Sequence, residues 1–198
     1  MTNGYFEGDY IPYSFEENGK IISNVSANMM HFLQNGEERH YIQIGTVMTA
    51  ADRRKQGLAA KLMKCVIEEY EGKCDGIYLF GDLSALDFYR KMGFEETVQY
   101  RYTLRDYVKE GMQSRISGDM LKLHSVISSS PVSLEQVIGE ITAGYKTLQL
   151  GFTPRQEEAD LFEAAVFDGG DDYRLFCRGS RLQRIAQEKL YFPTFSHA

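Results

Sequence analysis

The chain lacks tryptophan and holds only four prolines and three cysteines in 198 residues. Cys65, Cys74 and Cys177 are odd in number and none sits in a Cys-x-x-Cys pair, which argues against a disulfide framework and against structural zinc. A reducing cytoplasm is the compartment expected of such a chain, with no metal. No stretch approaches the ~20 apolar residues needed to cross a bilayer, and the polar, aromatic start from Met1 to Tyr10 has neither the basic nor the apolar part of a secretory leader. An excess of basic charge is missing too. The net charge is −6, so nucleic acid is not expected as a partner, because phosphate backbones are bound by basic surfaces. Hydrophobic residues at 43% and charged residues at 25% are enough to specify a folded domain.

Three segments, Tyr10 to Phe15, Ile21 to Leu33 and His40 to Thr49, are rich in β-branched and aromatic residues. Glu16-Glu17-Asn18-Gly19 and Asn35-Gly36 separate them, which predicts an antiparallel meander. From Arg53 to Tyr70 the period changes. Leu58, Leu62, Val66 and Tyr70 recur every fourth residue, with Lys61, Lys64, Glu68 and Glu71 on the other side, and Gly72 follows. That spacing predicts an amphipathic helix. Asp75 to Phe80 reads as a buried strand, Ser84 to Met92 as a helix capped by Ser84, and Phe94 to Leu104 as a strand. A segment of low apolar content, 109–119, reads as a linker. Beyond it we expect a strand over 120–127, a helix over 133–143, a strand over 147–152, a helix from Thr153-Pro154 to about Ala165 and a strand over 173–177. The helix-strand order of 133–177 repeats that of 53–104, so 120–198 reads as a possible half-repeat of the first domain, 1–108.

One segment carries a chemical signal. Val47, Met48 and Thr49 end a strand, and Arg53, Arg54, Lys55, Gln56, Gly57, Leu58 and Ala59 open the helix. A helix start presents bare N–H groups and a positive dipole end, so it holds anions. Gly57 lets a ligand approach the backbone. Cations are unfavourable at a helix N-terminus, so three in a row call for an anion; a merely solvated basic turn is the alternative.

Arg54-x-x-Gly57-x-Ala59 resembles the [QR]-x-x-G-x-[GA] signature of the GNAT superfamily of N-acetyltransferases. Asp82-x-x-Ala85-x-x-x-Tyr89-x-x-x-Gly93-Phe94 resembles the second motif of that family, N-x-x-A-x-x-x-Y-x-x-x-G-F. The resemblance covers roughly Tyr10 to Leu104. It implies an α/β (α+β) fold with a mixed central sheet and flanking helices, and acetyl-CoA as cosubstrate. The implied reaction is acetyl transfer to a small-molecule or peptide amine, with the pyrophosphate on 54–59 and the thioester carbonyl polarised by a backbone N–H of 47–49. The same resemblance makes Ala85 and Tyr89 the helix face against the thiol end, with Tyr89 as the acid that protonates the departing thiolate. Asp82 departs from the usual Asn, and a carboxylate can accept but not donate to a pantetheine amide.

No general base stands out; His31, His40, Glu37 and Glu38 are the nearby candidates, and each is of a type more often simply exposed. A strand and helices that normally precede the meander are absent, so the fold is expected to be shortened at its N-terminus and to leave a sheet edge open to pairing with a second chain or with the C-terminal region. The ending Phe192 to Ala198 resembles that of uncharacterised bacterial GNAT proteins with a C-terminal α/β extension, relative to which 115–120 is short. A non-catalytic acyl-CoA-binding or regulatory protein is the competing reading.

Overall fold

A computed structural model of the protein describes residues 8–34, 36–105, 118–141 and 145–193. Most of the expected linker, Asn35, the end of the helix expected at 143 and the tail beyond Pro193 lie outside them. The described chain forms two units, one of 1–97 with 168–184 and one of 98–167 with 185–197.

In the first unit, β1 (Tyr10–Glu17) and β2 (Lys20–Gln34) form a hairpin turned by Asn18 and Gly19, at φ 53° and 75°. These left-handed angles suit the twist of a two-residue hairpin loop. β3 (Glu37–Thr49) pairs back on β2, completing the meander read from the sequence. α1 (Leu58–Tyr70) then crosses to β4 (Gly76–Asp82), which lies parallel to β3. α2 (Leu86–Lys91) and β5 (Glu95–Thr97) follow. The sixth strand, β10 (Tyr173–Arg178), comes from far along the chain and inserts between β4 and β5, giving the order β1-β2-β3-β4-β10-β5.

One face of this sheet carries Val25, Ala27, Ile42, Ile44, Ile77, Leu79 and Phe176, buried against Leu62, Met63, Val66 and Ile67 of α1 and Tyr89 of α2. The four-residue spacing of the α1 residues explains why that helix was legible.

The second unit holds a four-stranded sheet ordered β7-β8-β6-β9, made of β6 (Gln99–Arg105), β7 (Gly118–Leu123), β8 (Tyr145–Leu150) and β9 (Glu163–Phe167). α3 (Leu134–Ile141) packs Leu134 and Ile138 with Tyr102, Leu148, Leu150 and Phe162. Ser133 and Gln136 cap α3 reciprocally, each side chain taking the other's backbone N–H, at 3.2 and 3.1 Å.

The structure corrects two expectations in this part of the chain. The strand expected at 94–104 is two strands in two sheets, divided at Val98. The helix expected from Thr153 is a 3₁₀ turn (Gln156–Leu161) followed by β9, because Ala164 and Ala165 pair with Tyr102 and Arg101 of β6. The Thr153 hydroxyl does not cap it: it takes the N–H of Tyr191 at 2.7 Å and donates to the Tyr191 carbonyl at 3.0 Å. The expected boundary at 108/109 lies outside the described residues; 168–184 belongs with the first unit.

Candidate functional site

β3 and β4 are parallel neighbours over only three residue pairs, ending at Gln43↔Tyr78. Beyond that point β3 continues to Thr49 and β4 to Asp82 without pairing to each other. The sheet is therefore forked, and the inner edge of each prong offers unpaired backbone groups.

A bulge lies on the β3 prong. Ser26 pairs with Gly45 and Asn24 with Met48, so two steps along β2 face three along β3. Thr46 takes φ 48°, a strained angle for a branched residue. Side chains of β2 hold the distortion. Asn24 donates Nδ2–H to the Thr46 carbonyl at 3.2 Å, and Ser23 donates its hydroxyl to the Met48 carbonyl at 3.0 Å. Ser14 in turn donates to Asn24 Oδ1 at 2.6 Å. Ser23 and Asn24 escaped the sequence reading; polar residues recur along β2, so nothing in the sequence set these two apart.

The prong ends in the turn that leads to α1. The expected helix start at Arg53 is instead a 3₁₀ turn (Ala51–Arg53), an extended Arg54 and left-handed Lys55 (φ 63°) and Gly57 (φ 75°), with α1 beginning at Leu58. A residue with a Cβ would be strained at Gly57, although open space surrounds the position. Lys61 N–H returns to the Gly57 carbonyl at 3.0 Å, while the amides of Leu58, Ala59 and Ala60 have no acceptor within the helix. Residues 54–57 are exposed and 58–60 half-buried, so this turn is open to solvent.

The three cations differ. Arg53 is ion-paired to Glu17 and lies 3.7 Å from Asp52. Arg54 folds its Nε back onto the Thr49 carbonyl at 3.3 Å. Lys55 is exposed and meets no carboxylate among the described residues.

On the other prong, Asp82 Oδ1 accepts the backbone N–H of Ser84 at 2.8 Å and its hydroxyl at 2.5 Å. Asp82, not Ser84, is thus the cap of the turn that leads into α2, and those two bonds hold its carboxyl below the usual range. Tyr89 is buried at 6% exposure, with its ring over Gly81 and beside Phe176 and Phe88, at centroid distances of 5.5 and 5.3 Å. A Cβ on Gly81 would lie 2.8 Å from that ring, so the glycine makes the room. Burial, then the charge of Asp82, raises the Tyr89 phenol above its ordinary pKa. Ala85 is half-buried in the same cluster. Tyr89, Ala85 and Asp82 therefore belong to one prong, and 47–49 with 53–59 to the other.

Of the base candidates, His31 and His40 face each other across β2 and β3 with Nδ1 atoms 2.7 Å apart. They are exposed and lie on the far side of Gln43 from the fork. Glu37 and Glu38 are farther still along β3. Among the described residues there is no group of three or more His, Cys, Asp and Glu that could hold a metal, and no helix long and apolar enough to cross a membrane.

Residues 8–97 match the acetyltransferase (GNAT) domain family. Two solved structures share the fold. A conserved protein of unknown function from Enterococcus faecalis, described as a probable N-acyltransferase, aligns at TM-score 0.55 and 13% identity over 89% of this chain and 64% of its own. Eis1 from Mycobacterium abscessus aligns at 0.52 and 10% over 83% and 63%. A smaller overlap, TM-score 0.41 at 22% identity over 45% of this chain and 60% of the other, is shared with a predicted acetyltransferase from Clostridium acetobutylicum solved with acetyl-CoA. This chain spans less than two thirds of the length of each. No curated protein matches. The match to the GNAT domain is confined to residues 8–97, and β10 joins their sheet from beyond the matched residues.

Proposed function

We propose that the protein is an acetyl-CoA-dependent N-acetyltransferase whose cofactor enters the fork between β3 and β4. The observation that carries this reading is the fork itself, closed at Gln43↔Tyr78 and running out on one side to an exposed turn with bare amides. The diphosphate sits on the N–H groups of Leu58, Ala59 and Ala60, with Arg54 and Lys55 adding charge. The pantetheine arm lies along the open edge of β3, as an added strand would. An N–H of the 47–49 stretch, turned by the bulge, donates to the thioester oxygen and stabilises the oxyanion.

The acceptor reaches the site as an ammonium and gives its first proton to water. Its nitrogen attacks the carbonyl carbon, the C–N bond forms, and the C–S bond breaks as the tetrahedral intermediate collapses. The thiolate takes the Tyr89 proton, the nitrogen loses its second proton to solvent, and solvent restores the phenol. A raised phenol pKa makes Tyr89 a weak donor, so its contribution lies at the low end of the ~10²–10⁴-fold range for such acids.

The same burial of Tyr89, together with the commitment of Asp82 to its cap, favours a second reading, an acyl-CoA-binding protein without turnover. Thermal melts with acetyl-CoA and a thiol-release assay over an amine panel separate the two. Acetyl-CoA raises Tm in both, by mass action, and Arg54→Glu removes the shift. Thiol release that depends on amine supports transfer; binding without release supports the second reading.

A further inference from the structure

The face of the first sheet turned away from α1 is polar where it meets the fork. Ile42 and Ile44 point to α1, so Gln43 and Gly45 point the other way, as do Asn28 and Ser26 paired with them on β2 and Tyr78 paired on β4. Asn28 spends its Nδ2–H on the Gln43 carbonyl at 3.1 Å. Gln43 Nε2 and Ser26 Oγ, in residues 1% and 0% exposed, have no hydrogen-bond partner in the protein. Buried polar atoms without partners are rare, and each points to a missing water or ligand. Two of them occupy neighbouring rows of one sheet face, and Gln43 belongs to the last pair before the fork opens.

We propose that Gln43 and Ser26 hold the amine acceptor, and that the acceptor is uncharged around its amine, with a carbonyl or hydroxyl oxygen nearby, as in an α-amino amide or a peptide N-terminus. This rests on the acetyl-transfer reading above. The Gln43 amide N–H can only donate, so its partner must supply an oxygen. Ser26 can donate or accept. The rows Ser26-Gly45 and Asn28-Gln43-Tyr78 carry no charge; farther along the same face, Glu37 of β3 is paired to Arg39 and Asp82 of β4 is committed to Ser84, so neither is left to pair with a second cationic centre on the acceptor.

The test uses the full chain with saturating acetyl-CoA and two probes, alaninamide and 3-methylbutan-2-amine, a hydrocarbon amine of the same shape. Gln43→Met keeps the volume and removes the donor. The expected result is a ~10-fold or greater rise in KM for alaninamide with kcat little changed, and no change in KM for the hydrocarbon amine or for acetyl-CoA. A purely structural role would move both amines together. If Gln43→Met does not fold, Ser26→Ala is read against the same ratio. Equal effects on the two amines, no effect on either, or wild-type turnover of the hydrocarbon amine but not of alaninamide overturns the acceptor assignment alone. Binding of acetyl-CoA with turnover of no amine, or failure of the wild type to bind acetyl-CoA, overturns it together with the transfer reading.

Discussion

Arg53, Arg54 and Lys55 are neighbours in the chain, but the fold gives them different work, and removing charge in pairs tells them apart. Arg53 is held by Glu17, so replacing both together (Arg53→Gln with Glu17→Gln) deletes an ion pair without changing net charge. Lys55 has no such partner among the described residues, so Lys55→Gln removes a free cation. A unit charge ~4 Å from a phosphate charge in water is worth about 1 kcal/mol, and a diphosphate supplies two such charges. Lys55→Gln is therefore expected to weaken coenzyme A binding ~5- to 30-fold at low salt, and the double replacement less than ~2-fold. Titration calorimetry at about 50 mM and about 300 mM salt is the assay, and the Lys55 effect shrinks at the higher value because the site is exposed. Equal losses from Lys55→Gln and from the pair deletion would refute the assignment of phosphate contact to the free cations.

Three further outcomes are expected. Tyr89→Phe retains the ring and removes the hydroxyl, so kcat falls toward ~10²-fold while the KM for acetyl-CoA holds; turnover equal to wild type at every pH rules Tyr89 out as the acid. Gly81→Ala places a methyl 2.8 Å from the Tyr89 ring, an overpacking that costs about 1–3 kcal/mol and is read as a lower Tm; an unchanged melt refutes the ring-on-glycine contact. Burial raises both the Cys177 thiol and the Tyr89 phenol, so the unfolded chain loses these protons first, near ~8.5 and ~10. Stability is then full below ~8.5 and falls by about 1.4 kcal/mol per pH unit above it, more steeply once Tyr89 joins above ~10; urea midpoints that stay level from pH 8 to about 11 contradict this.

Much of the first unit was legible because its periods are clean. The Asn18-Gly19 turn, the four-residue stripe of α1 and the two motif spacings each have one physical meaning. Arg53 to Gly57 was read as helix because its composition does not forbid one; left-handed angles at Lys55 and Gly57 decided otherwise. The fork and the bulge are properties of pairing between strands, which no single segment encodes. The insertion of β10 between β4 and β5 was beyond reach for the same reason. Glu163 to Phe167 misled because Ala164 and Ala165 favour helices in isolation, and strand pairing with β6 overrides that preference. Gln43 and Ser26 carry no signal in the sequence, and only their burial without partners marks them.

On the proposed reading, the amides opening α1 hold the diphosphate of coenzyme A. Amide proton–nitrogen spectra recorded during a coenzyme A titration test it directly. The signals of Leu58, Ala59 and Ala60 are predicted to move the most and to saturate together, and Arg54→Glu to abolish the movement. Signals at these three positions that stay fixed while coenzyme A is added to excess contradict the account.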